Sequence, residues 1–165
     1  EILGSPAYPD SSNGLATWGL SFVGSAGAQH FFKAVNAEPE EVRSAVVGAL
    51  TSVVQEDEAN APQALELILG ALSDRSAMVR SEAAAALGKL SNTTVVSQLA
   101  TVLSDSDGVV RKTAAMALMK IGDVGAIAPI QAALAEESDE AIQPVFKLAI
   151  SQLEKKQEED DDGWD

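Results

Sequence analysis

The sequence contains no cysteine, and it has few aromatic residues, few basic residues and a single histidine. Without cysteine, a disulfide scaffold, a thiolate metal site and a cysteine nucleophile are excluded, although the cellular compartment is left open. One histidine cannot supply a site that needs two imidazoles. Because 11 basic residues face 25 acidic ones, giving a net charge of -14, we expect no binding to nucleic acid or to an anionic membrane surface.

Long apolar runs are also missing. Stretches such as residues 83–87 are far shorter than the roughly 18 residues that a membrane-spanning helix needs. The chain has 165 residues, of which 46% are hydrophobic, and single domains run on the order of 100–200 residues. We therefore predict a soluble protein without a membrane span, built as one compact domain or a short repeat array.

The amino-terminal segment, residues 1–27, is rich in turn-forming Gly, Pro, Ser and Asn, which predicts an arm. Within it, Trp18 and Phe22 have the spacing of one face of a short helix. The chain opens with Glu1 rather than Met, which indicates a processed or truncated protein.

The carboxyl-terminal segment carries most of the net charge, since eleven acids and three lysines fall between residues 136 and 165. Residues 157–165 read QEEDDDGWD, a composition that predicts a disordered acidic tail. The alternative is a docking segment for a basic groove, with Trp164 as its anchor.

An internal repeat organises the rest of the chain. The segments VRSAVVGALTSV, VRSEAAAALGKL and VRKTAAMALMKI start at Val42, Val79 and Val110 and align without gaps, and a degenerate fourth, IQPVFKLAISQL, starts at Ile142. Their apolar residues recur at spacings of three and four, the pattern of an amphipathic helix. We therefore predict an all-α protein, an α-solenoid of about four helical hairpins, in residues 28–156. The predicted units are about 28–54, 61–91, 92–122 and 123–156.

These segments resemble HEAT-like repeats of the short type found in phycobilisome lyases and related proteins of photosynthetic organisms. The resemblance covers roughly residues 28–153 and is strongest in VRSEAAAALGKL and VRKTAAMALMKIGDVGAIAPIQAAL. In the first unit Thr51 replaces the glycine of the Ala-Leu-Gly motif, and in the fourth Gln143 replaces the repeat arginine, departures that suit terminal units. The resemblance implies a plastid stroma or a cyanobacterial cytoplasm as the compartment.

Candidate catalytic groups are few. His30, beside two phenylalanines, is interpreted as a structural or surface side chain. The acid and arginine that recur in the second and third units are interpreted as ties between adjacent hairpins, and the acidic residues 56–58 as a solvated loop. No catalytic residue, metal site or cofactor is therefore predicted.

A partner-binding surface is the remaining candidate site. The outward positions of the second helices form a central row that is small or apolar, and this row could accept an amphipathic helix or loop. The alternative is that neighbouring helices or the amino-terminal arm bury the row. The predicted partner-binding residues are Gly48, Glu82, Ala85, Lys89, Thr113, Met116, Lys120, Leu148 and Trp164.

Two functions remain open. The favoured one is a non-enzymatic protein-binding scaffold, an assembly or stabilising factor within a larger complex. The alternative follows from the resemblance: a phycobilin lyase-like or phycobiliprotein-associated factor that holds a linear tetrapyrrole and its protein acceptor. In that case Lys89, Lys120 and Arg111 are the groups that could meet the propionates of the pigment.

Overall fold

The computed structural model describes Gln29 and residues 32–163, and these residues form helices and turns with no β-strand among them. Short 3-10 turns flank two of the helices, at Thr93–Val95, Val102–Ser104 and Val124–Ala126. The predicted all-α class is confirmed. The α-helices are α1 (Glu40–Glu56), α2 (Ala61–Ala71), α3 (Ala77–Leu90), α4 (Val96–Thr101), α5 (Gly108–Ile121), α6 (Ile127–Glu136) and α7 (Gln143–Asp162).

The chain divides into two compact units, residues 1–86 and 87–165, and the boundary falls within α3. In the first unit α1 packs against α2. In the second unit α5 and α6 both pack against α7, and α4 packs against α5. Fully buried side chains of the first compact unit include Val46, Leu50, Ile68 and Val79, and those of the second include Leu99, Leu118, Ile130, Phe146 and Ala149.

The alanine-rich stripe predicted for α5 is buried along its whole length. Val110, Ala114 and Leu118 have no exposed surface, and Ile121 is 8% exposed. Small residues are needed because the helices approach closely. A Cβ atom added to Gly88 would lie 2.9 Å from the Cβ of Ala117, closer than a methyl group tolerates.

Two aspartates cap the starts of helical segments in the second compact unit. The side chain of Asp107 accepts hydrogen bonds from the backbone N–H groups of Val109 and Val110 at the start of α5. Asp123 caps the 3-10 turn before α6 in the same way. Pro129 lies in the first turn of α6, where the missing N–H costs no hydrogen bond, so α6 starts late and is not broken.

The acidic end of the chain differs from the prediction. Instead of disorder from residue 157, α7 continues to Asp162. The part of α7 up to Leu153 is held by the buried side chains Phe146, Ala149 and Leu153. Extending a helix that is already nucleated costs much less than starting one, and the Gln and Glu residues that follow are good helix formers. His30, Trp18, Phe22 and Trp164 lie outside the described residues.

Candidate functional site

The repeat arginine of the first unit is fully engaged in structural contacts. Two nitrogens of Arg43 donate to the two carboxylate oxygens of Asp74, both at 2.9 Å. A third nitrogen donates to the backbone oxygens of Ala37 and Glu38. The side chain of Arg43 is 5% exposed. This ion pair joins the second helix of one hairpin to the turn of the next.

The second compact unit, residues 87–165, contains a matching ion pair between Arg111 and Glu137. The guanidinium donates to both oxygens of Glu137, at 2.7 and 3.0 Å, and to the backbone oxygens of Asp105 and Ser106. The side chain of Glu137 is 2% exposed. Because its position is set by these contacts, Arg111 is not available for the propionate of a pigment, as the sequence had suggested it could be.

The pKa values of both carboxyl groups reflect these pairs. The hydrogen bonds from Arg111, opposed by burial and helped by the backbone N–H of Asp139, hold the pKa of Glu137 below its ordinary value. Burial raises the pKa of Asp74, but hydrogen bonds from Arg43 and from the backbone N–H of Ser76 outweigh it and leave that pKa lowered. Both carboxylates therefore stay charged inside the fold at neutral pH.

A carbonyl contact recurs even where the arginine is replaced. Arg80 donates to the backbone oxygen of Asp74, six residues earlier, at 2.9 Å. Gln143, which replaces the arginine in the fourth repeat, donates to the backbone oxygen of Glu137, also six residues earlier, at 2.8 Å. The glutamine therefore retains the local turn contact of the repeat while carrying no charge.

The predicted partner-binding residues of the first compact unit, residues 1–86, lie on partly covered surface. Gly48, Glu82 and Ala85 are half-buried. A Cβ atom on Gly48 would lie 2.8 Å from a carboxylate oxygen of Glu82, so this carboxylate lies directly over the α1 backbone. The Glu82 carboxylate therefore covers part of the surface at Gly48, and partner binding by these three residues stays a prediction.

In the second compact unit, residues 87–165, the predicted partner-binding residues are more exposed to solvent. Met116 on α5 is 46% exposed and Leu148 on α7 is 50% exposed. Thr113 is half-buried, while Lys89 and Lys120 are exposed. The structure brings two members of this set, Lys120 and Leu148, to the same concave surface.

That surface, here called the α5–α7 groove, lies between the carboxyl-terminal end of α5 and the part of α7 from Leu148 to Glu159, with a volume of about 550 Å³. Four apolar residues, three lysines and one acid line it, together with Gly122 and Gln152. The apolar residues are Met119, Ile121, Leu148 and Leu153, and the charged ones are Lys120, Lys155, Lys156 and Glu159. An apolar surface with several cations is suited to an amphipathic anion.

One lysine of the groove is tied to the backbone of α5. Lys156 donates to the backbone oxygen of Gly122 at 2.6 Å. Gly122 ends α5 in the left-handed conformation, with φ of 73°, and a Cβ atom there would lie 2.8 Å from the Lys156 Nζ. Glycine is favoured at this position for its backbone angle, and a side chain there would also make Lys156 shift.

Sequence reasoning missed Lys155 and Lys156, which it counted only as charges before the acidic tail. The signal that could have found them is helical spacing, because Lys155 lies seven residues after Leu148 and shares its face of α7. Lys89, which the sequence offered as a further propionate partner, does not line the groove.

The part of the chain that the structure describes has neither a metal-binding cluster nor a membrane-spanning helix. No group of three or more His, Asp or Glu side chains there could hold a metal ion. None of the helices described is both long and apolar enough to cross a membrane.

Comparison with protein families gives a match to HEAT repeats, over residues 28–100 and again over residues 68–150. Together these matches cover more than half of the chain. They fall on the repeat region that the aligned segments define.

Among curated proteins, the chain is similar to the bilin biosynthesis protein MpeU of Synechococcus sp. (strain WH8020). The two are 38% identical over 143 residues, which is 86% of this chain and 48% of MpeU. The chain thus spans about half the length of the curated relative it matches.

Among solved structures, the chain is similar in fold to the complex of CpcE and CpcF of phycocyanin lyase from Nostoc sp. PCC7120. The TM-score is 0.65 at 18% identity, with 82% of this chain and 86% of that chain covered. An engineered protein also matches, with a TM-score of 0.57 at 23% identity over 87% of this chain and 69% of its own. Both likenesses support a HEAT-like α-solenoid.

Proposed function

The chain belongs to the HEAT-repeat family, and on that premise we propose that it is a phycobilin lyase-like protein that holds a linear tetrapyrrole in the α5–α7 groove. The favoured expectation from the sequence, a non-enzymatic binding scaffold, is contradicted by the similarity to a bilin biosynthesis protein. The alternative weighed beside it, a factor that handles a bilin, has the better support.

The observation that carries the proposal is the chemistry of the groove. A linear tetrapyrrole has flat apolar rings and two propionate side chains, so a site for it needs apolar contact area and a few cations. Leu148 and Met119 offer the apolar contact, and Lys120 and Lys155 offer the cations. Such a group of lysines is notable in a protein with a net charge of -14.

The pigment would be held here without a covalent bond to sulfur. A thiolate is the strongest nucleophile among protein side chains near neutral pH, and this sequence has no cysteine to supply one. A lyase-like role therefore requires that the groove present the pigment to an acceptor thiol outside this sequence.

A protein partner is part of the proposal. The solved structure with the same fold is a complex of CpcE and CpcF, which supports a second polypeptide working with this chain. The curated relative is about twice as long as the matched region, which is compatible with a partner that supplies further residues. The compartment proposed is a cyanobacterial cytoplasm or a plastid stroma.

The test is a spectroscopic titration of the purified chain with a bilin. Binding is expected to shift and sharpen the visible absorption band, because the groove restricts the conformations of a flexible pigment. Leu148→Asp places a charge on the apolar floor and should abolish the shift. Val109→Asp is the matched control, since Val109 is 64% exposed at the other end of α5 and outside the groove. An unchanged bilin spectrum with the wild-type chain would contradict the proposal.

A further inference from the structure

The three lysines of the α5–α7 groove are not equivalent. Lys156 already donates to the backbone oxygen of Gly122. Lys120 and Lys155 have no hydrogen-bond or ion-pair partner within the described part of the chain. The groove therefore holds one anchored cation and two free ones.

The two free lysines come from different helices. Lys120 lies in the last turn of α5, and Lys155 lies on the part of α7 that follows the last buried residue, Leu153. Each ammonium offers three donors on a flexible stem. Two such groups on opposite sides of one groove can each bind a carboxylate of the same ligand while its apolar part lies between them.

We propose that Lys120 and Lys155 bind the two propionate carboxylates of the tetrapyrrole, one lysine for each, and that the groove thereby selects pigments with both carboxylates free. This inference rests on the proposed function, because it assigns roles within the same groove. Glu159 is the one acid in the groove lining, and it disfavours a third carboxylate there by repulsion of like charge.

Lys156 has a different role as a positioning residue. Its bond to Gly122 neutralises part of the negative end of the α5 dipole and holds α7 against α5, which keeps the two sides of the groove together. Lys156→Gln is expected to lower the melting temperature and to weaken the diacid and the dimethyl ester by a similar factor, because it loosens the groove and removes no contact to a carboxylate. Lys120→Gln and Lys155→Gln should instead leave the melting temperature unchanged and weaken binding of the diacid, since both side chains are exposed and unpaired.

The experiment compares binding of biliverdin and of its monomethyl and dimethyl esters, followed by absorption and induced circular dichroism. Ion pairs at exposed sites reach about 1 kcal/mol, or roughly fivefold in affinity. Each lysine variant should therefore weaken the diacid about fivefold, and the double variant about twentyfold. The dimethyl ester should bind wild type about twentyfold more weakly than the diacid, and this difference should vanish in the double variant.

The control is the double variant Lys112→Gln/Lys147→Gln, which removes the same charge from α5 and α7 outside the groove. It should retain the full preference for the diacid. Diacid and dimethyl ester binding equally to wild type, or an ester penalty that persists in the Lys120→Gln/Lys155→Gln variant, would overturn the assignment of the two lysines and leave bilin binding intact. A wild-type chain that binds none of the three pigments would overturn the proposed function as well.

Discussion

The two ends of helix α5 use their basic residues in opposite ways. At the amino-terminal end, Arg111 is paired with the buried carboxylate of Glu137 and with two backbone oxygens. At the carboxyl-terminal end, Lys120 is exposed, lines the α5–α7 groove and has no partner among the described residues. A single helix therefore carries one cation that stabilises the repeat and one that is free to meet a ligand.

The contrast between Arg111 and Lys120 distinguishes basic residues that stabilise the fold from basic residues that can bind a ligand. Guanidinium groups suit the paired role because their planar fork matches a carboxylate with two parallel bonds. Lysine suits the open role because its charge stays hydrated and mobile until an anion arrives. The predictions below test this division, from the largest expected effect to the smallest.

Arg111→Met should have the largest effect. It leaves the carboxylate of Glu137, with 2% of its side chain exposed, unpaired inside the fold. Removing one partner of a buried pair costs about 3–5 kcal/mol, so the free energy of unfolding measured in urea should fall by that amount. Arg75→Met is the control, because the Arg75–Glu38 pair is exposed on both sides and contributes about 0–1 kcal/mol. Equal losses in the two variants would contradict the structural role of Arg111.

Acid should weaken the same ion pairs. The folded pKa of Glu137 lies below the unfolded value of about 4.3, so its contribution is complete above that pH and is lost as the pH falls through the folded pKa. The pKa of Asp74 is also lowered in the folded protein, so its contribution to stability is lost over the same acidic range. Urea midpoints measured from pH 7 downwards should therefore drop most steeply below about pH 4. In Glu137→Gln the drop should be shallower, and an unchanged slope would show that Glu137 does not titrate with folding.

Gly122→Ala should cost about 1–2 kcal/mol, because an L residue is strained in the left-handed conformation. The added methyl group would also displace Lys156. Gly70→Ala is the matched control, since α2 has open space at that position and alanine is the better helix former. A thermal melt should show the first variant destabilised and the second unchanged or slightly stabilised. Similar shifts in both would argue against the cap at Gly122.

The smallest effect is expected at the acidic end of α7. Acids in the last turn oppose the helix dipole, at about 0.3–1 kcal/mol for each charge, and the last turn of α7 contains no basic residue. Asp161→Lys/Asp162→Lys should therefore raise helicity by circular dichroism at low salt. The gain should shrink in high salt, where charges are screened. Reduced helicity in the variant would show that a contact other than the dipole holds this end.

The sequence was sufficient to predict much of the fold. Val110, Ala114 and Leu118 mark one face of α5 by spacing alone, and Asp107 marks its start by residue type. The end of α7 could not be predicted in this way, because composition favours disorder while the preceding buried residues nucleate a helix that continues into it.

The candidate site was predicted only in part. Lys120 and Leu148 were identified from the outward positions of the repeats. Lys155 and Lys156 follow the last position of the alignment, and their proximity to Lys120 depends on how α7 packs against α5. Such a contact between segments distant in sequence cannot be read from periodicity. Arg111 shows the opposite case, a residue whose charge suggests a ligand and whose contacts are structural.

The most direct test of the proposed ligand-binding role of Lys120 and Lys155 is a nuclear magnetic resonance titration of the lysine side chains. After reductive ¹³C-methylation of the ammonium groups, each lysine gives its own methyl signal, assigned by single Lys→Gln variants. On addition of biliverdin, we expect the signals of Lys120 and Lys155 to shift together and to saturate with the pigment, while those of Lys112 and Lys147 stay in place. Shifts spread evenly over all lysines, or confined to residues outside the α5–α7 groove, would contradict the account.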